Sequence, residues 1–231
     1  MIERRNVLMR FMNYENPFFR FVGGLVDHML LNLLTVALCI PVVTGGAALS
    51  AMYYCSLRYI RGEEGYLLKM FFTQFKKNFK PATVIWLAEV LFGFLVYLDF
   101  RILRQAAENG GMAGAARPMM YLVMALALLG LFIMQYLLPL VSRYESSLRD
   151  YFKNAVLLSV SYFPRTVLMA VIHAAVIVTF ILFWIYALPV YAVLGLSGPG
   201  WLVMKILDPV FRKIEERSGE GEAETSEDTE N

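Results

Sequence analysis

Four long apolar blocks, near residues 22–43, 82–100, 118–142 and 166–195, constrain this chain more than anything else in it. Crossing a hydrocarbon core of roughly 30 Å as a helix takes about 20 apolar residues, and the blocks supply that length. A backbone in lipid finds no water to bond, so such blocks fold as helices that satisfy their own N–H and C=O groups. Composition agrees: 58% of the residues are hydrophobic and 17% charged, with a mean hydropathy of +0.56, where a soluble domain carries about 25% charged residues. No polar stretch is long enough to bury a core of its own. The expected fold is therefore an all-α membrane domain over residues 1–214. No small-residue cleavage site follows the first block, which reads as a retained anchor and not a signal peptide.

Two shorter apolar blocks, near 46–60 and 200–211, decide the topology. If the N-terminus is cytoplasmic and all six blocks cross, 18 of the 21 basic residues fall on the cytoplasmic side. Only Arg101, Arg104 and Arg117 fall outside. Leaving out the short blocks would put residues 46–80, with six basic residues, outside. The positive-inside rule thus favours about six transmembrane helices with both termini in the cytoplasm. Two of the six are short and hairpin-paired. In "LCIPVVTGGAALSAMYYC" (38–55), Pro41, Gly45 and Gly46 mark the first reversal. The glycines allow either positive φ or close backbone approach there. Small residues after the turn let helices pack tightly. A second reversal is expected at Pro189 and "GLSGPG" (195–200).

"NLLTVALCIPVVTGGAALSAMYY" (32–54), "RGEEG" (61–65) and "FFTQFKKNFK" (71–80) resemble the YesL family of bacterial membrane proteins, a domain-of-unknown-function family. The resemblance covers about residues 20–90, and "YFKNAVLLSV" (151–160) fits a second cytoplasmic segment. It implies a setting in carbohydrate-utilisation gene clusters beside sugar ABC transporters of Gram-positive bacteria. It brings no activity, ligand or catalytic residue.

Polar groups inside apolar spans are costly and call for a reason. Asp27, His28 and Asn32 lie in the first block, Glu89 in the third crossing, Gln135 in the fourth and His173 in the fifth. Counted from the cytoplasmic ends at 1.5 Å per residue, they form one inner polar layer. That layer serves either as interhelical hydrogen-bonding glue or as a ligand or proton site. In "YLLKMFFTQFKKNFK" (66–80), aromatic residues including Phe72 and Phe75 alternate at helical spacing with Lys69, Lys76, Lys77 and Lys80. This is the pattern of an interfacial helix, serving as a lipid anchor or as a docking face for a partner. Residues 144–162 behave similarly.

The stretch 215–231 has eight acidic residues and one arginine, the composition of a solvated, disordered cytoplasmic tail. Without it the membrane body carries 20 basic and 11 acidic residues. No phosphate-cradling loop, dinucleotide fingerprint or metalloprotease motif occurs. Two histidines are too few for a histidine-rich metal centre, and Cys39 and Cys55 read as free apolar thiols. No cofactor, metal or catalytic residue is expected, and nucleic-acid binding has no support because the basic residues follow the membrane boundary. The chain reads as no enzyme. Three classes remain: an accessory component of ABC-type carbohydrate uptake, a small-solute or proton-coupled transporter, alone or as a homo-oligomer, and a membrane signalling subunit.

Overall fold

The computed structural model describes residues 17–63, 65–108 and 113–230. Eight α-helices are found among them, and no strand: α1 (Pro17–Cys39), α2 (Gly45–Ile60), α3 (Leu67–Lys77), α4 (Phe79–Glu108), α5 (Ala113–Arg143), α6 (Leu148–Ser161), α7 (Phe163–Leu194) and α8 (Ser197–Glu230). Four segments are long and apolar enough to cross a membrane: Val22–Cys39, Phe79–Glu108, Pro118–Arg143 and Phe163–Phe183. They coincide with the four long apolar blocks. Many of their large side chains point outward, among them Leu33, Phe94, Leu122 and Ile181. That is the pattern of helices solvated by lipid.

The short segment α2 is the centre of the molecule. Eleven of its 16 residues are buried. It runs beside α8 in the same direction: a Cβ on Gly200 would meet the Met52 methyl, and farther on Arg61 meets Asp208. The two short return segments are thus adjacent, parallel core helices. Their faces carry Ala48, Ala51 and Met52 on one side and Val203, Met204 and Leu207 on the other, all at most 1% exposed.

The first reversal lies where Pro41, Gly45 and Gly46 place it, through a short 3-10 turn at Val42–Thr44. Thr44 Oγ1 donates to the carbonyls of Leu38 and Pro41, closing the turn. Of the two uses that glycine has in turns, close approach is the operative one. Gly45 is right-handed helical at φ −56°, and a Cβ on Gly46 would lie 2.3 Å from the Ala82 carbonyl oxygen. Trp86 Nε1 donates to Val42 O at 2.8 Å. The hairpin tip is therefore level with the first two turns of α4, far short of Glu108.

The second reversal lies earlier than expected. Phe183 leaves helical geometry at φ −124°, ψ 28°. Beyond it the chain folds back, so that the Tyr191 hydroxyl donates to Val176 O and the Phe180 and Tyr191 rings sit 5.2 Å apart. Eleven residues of straight helix would separate those rings by about 16 Å. The reach of Pro189 ends at the carbonyl of residue 185, so the departure at Phe183 lies upstream of what the proline by itself dictates. "GLSGPG" marks instead the break between α7 and α8.

The helices between the long apolar ones also differ in part from the periodicity reading. On α3, Phe71 is fully buried and Phe75 packs against the core. Phe72 and Leu68 are exposed, as are Lys69, Lys76, Lys77 and Lys80. The aromatic stripe is thus shared between core and surroundings. Lys77 pairs with Glu145, tying the α3 end to the segment before α6. The α8 helix is drawn on to Glu230, through the stretch that composition assigns to an irregular tail.

Candidate functional site

The six polar residues of the apolar blocks do not converge on one cavity. They separate into a structural tie and a cleft. Asn32, fully buried, holds the break between α7 and α8. Its Nδ2 donates to Tyr191 O at 3.0 Å, and its Oδ1 accepts from Leu196 N at 2.8 Å and Ser197 N at 3.1 Å. Those two N–H groups are orphans of a helix start, so Asn32 caps α8 from another helix. Ser197 Oγ adds a bond to His28 O at 2.9 Å. The His28 ring meets Tyr59 edge-on at 5.1 Å and Trp201 at 6.3 Å, and Asp27 is exposed.

Glu89, Gln135 and His173 line one cleft of about 480 Å³. Its walls are α4, α5 and α7; its floor is the buried helix α2 and the start of α8, where Leu49, Tyr53, Leu196 and Gly200 contribute. The volume lies within the range of small-molecule sites. Most of the lining is apolar, with Tyr53, Trp86 and Phe92 as the aromatic members. Periodicity could not have found the floor, because Leu49 and Tyr53 read as ordinary core.

The polar groups of the cleft are short of donors. Gln135 Nε2 donates to Thr166 O at 3.1 Å, while Gln135 Oε1 and Glu89 Oε1 are enclosed with no hydrogen-bond partner. His173 Nδ1 lies 2.8 Å from Met169 O. A carbonyl only accepts, so Nδ1 carries the proton and Nε2 of the neutral ring is an acceptor. Glu89 and His173 share the cleft, yet among the described residues no hydrogen bond or ion pair joins them.

A second polar cluster closes the other end of α2 and α8. Arg61 Nε reaches Asp208 Oδ1 at 2.7 Å and its Nη1 reaches Glu215 Oε2 at 3.1 Å. Arg143 Nε meets Glu215 Oε1 at 2.8 Å, and Arg212 Nε meets Asp208 Oδ2 at 2.9 Å. Partial burial by itself would raise the Glu215 carboxyl; the hydrogen bonds from Arg143 and Arg61 outweigh it and hold the group below its ordinary value. Glu215, the first residue of the acidic stretch, thus belongs to the folded body. No group of three or more potential metal ligands occurs among the described residues.

A bundle of apolar helices around a buried parallel pair, with a cleft among its candidate membrane spans, is the architecture of a multi-pass membrane protein. Residues 28–100 match a family described as "Protein of unknown function, DUF624". The chain is also similar to the uncharacterized protein YteU of Bacillus subtilis (strain 168), at 23% identity over 175 residues, which cover 75% of this chain and 74% of that one. Both matches support a YesL-like member of the DUF624 family, the resemblance its N-terminal motifs carry. No solved structure matches the chain.

Proposed function

We propose that this protein binds a small solute in the cleft between α4, α5 and α7, as a transporter of the bacterial cytoplasmic membrane or as the solute-sensing part of one. The observation that carries this reading is the convergence of Glu89, Gln135 and His173, from three different helices, on one largely apolar cavity. Polar groups at membrane depth commonly mark solute pathways. Broken helices near them are the usual means of building such a site, and the break between α7 and α8, at Gly195 and Leu196, lines the cleft. The reading assigns no catalytic step. It keeps both termini on the cytoplasmic side and six crossings in total, two of them the short returns, on the strength of the basic-residue distribution.

Gly93 provides the test. It lines the cleft, and a Cβ there meets nothing within 4 Å, so Gly93→Trp grows into open space. Purified protein in detergent is screened by thermal shift against sugars, amines and carboxylates. At least one solute should stabilise the wild type and not Gly93→Trp. A panel that moves neither protein, or both equally, overturns the reading.

An accessory role in ABC-type carbohydrate uptake is the second reading. The resemblance favours it, as do the exposed Leu68, Phe72 and lysines of α3, which leave a mixed apolar and basic face for a transporter subunit or for anionic lipid. Affinity purification from native membranes tests it: a transporter subunit retained by the wild type should be lost from Phe72→Glu. Retention of the same subunit by that variant excludes the face as its docking site.

A further inference from the structure

We propose that the solute of this cleft is an organic ammonium ion, an amine carrying N–H donors and an apolar body. The proposal rests on the cleft being a binding site and deepens that reading. The unpartnered polar atoms of the lining are chiefly acceptors: Glu89 Oε1, Gln135 Oε1 and Nε2 of a neutral His173 ring, beside the Tyr53 hydroxyl, which can donate or accept. Gln135 spends its own donors on Thr166 and Phe132 carbonyls, and His173 spends its Nδ1 proton on Met169 O. Such a lining favours an occupant that brings donors.

Charge selects among donor-bearing solutes. A carboxyl among apolar walls gives up its proton only when a positive charge pairs with it. No lysine or arginine lines the cleft, and no ion pair to Glu89 occurs among the described residues. A cationic solute supplies the missing charge, whereas a neutral polyol supplies only donors. The aromatic faces of Tyr53, Trp86 and Phe92 provide walls of the kind that attract ammonium groups. The N–H groups that open α8 at the floor are taken up by Asn32, which accepts from Leu196 N and Ser197 N. The apolar remainder of the lining asks for a hydrocarbon or aromatic body on the amine.

The probes are 2-phenylethylammonium, the isosteric neutral 2-phenylethanol, and glucose, each titrated into the full-length protein in detergent with Trp fluorescence and thermal shift as readouts. The ammonium should bind saturably and at least about tenfold more tightly than the alcohol, a difference of about 1.4 kcal/mol. Glu89→Gln should remove that preference while leaving the alcohol unaffected, and Gly93→Trp should abolish binding of both. Glu89→Gln keeps shape and hydrogen-bonding capacity, and its thermal unfolding is recorded first to show that it is folded. Equal binding of ammonium and alcohol, or tighter binding of glucose, with sensitivity to Gly93→Trp, overturns the cation assignment and leaves the cleft as a site. Binding of none of the three, or binding that Gly93→Trp does not alter, overturns both.

Discussion

Arg61 and Asp208, 147 residues apart in sequence, meet at 2.7 Å with side chains only 11% and 9% exposed. The contact joins the end of α2 to the middle of α8 and sets the register of the two central helices. Asp208 also pairs with Arg212, whose side chain is 55% exposed. The same carboxylate thus has one enclosed and one open partner. Arg61→Ala should cost a large part of the about 3–5 kcal/mol of a broken buried pair, and Arg212→Ala only about 0–1 kcal/mol. Thermal unfolding of both variants in detergent measures the difference; equal losses would show that the burial of Arg61 carries no weight.

The Glu215 carboxyl gives the protein a pH dependence of known sign. Its folded value lies below the ordinary 4.5 because Arg143 and Arg61 bond the ionised form against the opposing effect of burial. A depressed carboxylate stabilises the fold above its unfolded value, and that stabilisation drains away as pH falls toward the folded value. The melting-temperature gap between wild type and Glu215→Gln should be constant at neutral pH and shrink below about pH 4.5. A gap that widens on acidification would contradict the ion-pair assignment.

Gly46 is the tightest point of the first hairpin. Its missing Cβ leaves room for the Ala82 carbonyl and the Trp86 Cβ, at 2.3 and 2.5 Å from where a side chain would start. Gly46→Ala should therefore cost at least the ~1–3 kcal/mol of an overpacked core. Gly93→Ala, into open space, should be close to neutral. Gly45→Ala should fall between them, since only the Trp86 ring edge stands in its way, at 2.9 Å. Detergent-extracted yield and melting temperature rank the three.

Glu89 and His173 line the same cleft without touching, so their contributions to stability should add. In a double-mutant cycle of Glu89→Gln and His173→Gln, the coupling should stay within about 0.5 kcal/mol. A larger coupling would mean a direct contact in the membrane-embedded protein. Solute binding is the readout in which the two should act together.

What the sequence by itself determined is everything that depends on local chain chemistry. Hydropathy alone located the four candidate spans, because each must satisfy its own backbone in lipid whatever its neighbours do. The proline and paired glycines located the first turn, since their backbone limits are intrinsic. Which residues meet is a property of helix rotation and crossing, and no spacing along one chain encodes it. Depth counted from the span ends put Asn32 in a common layer with Glu89; packing turned it toward Leu196 and Ser197 instead. The same count could not tell whether Glu89, Gln135 and His173 face lipid, one another or a cavity, and the fold-back at Phe183 carries no glycine or proline of its own. Only the tertiary structure decided these, because close packing of α2 between α1, α4, α5 and α8 leaves each surrounding helix one rotation that fits.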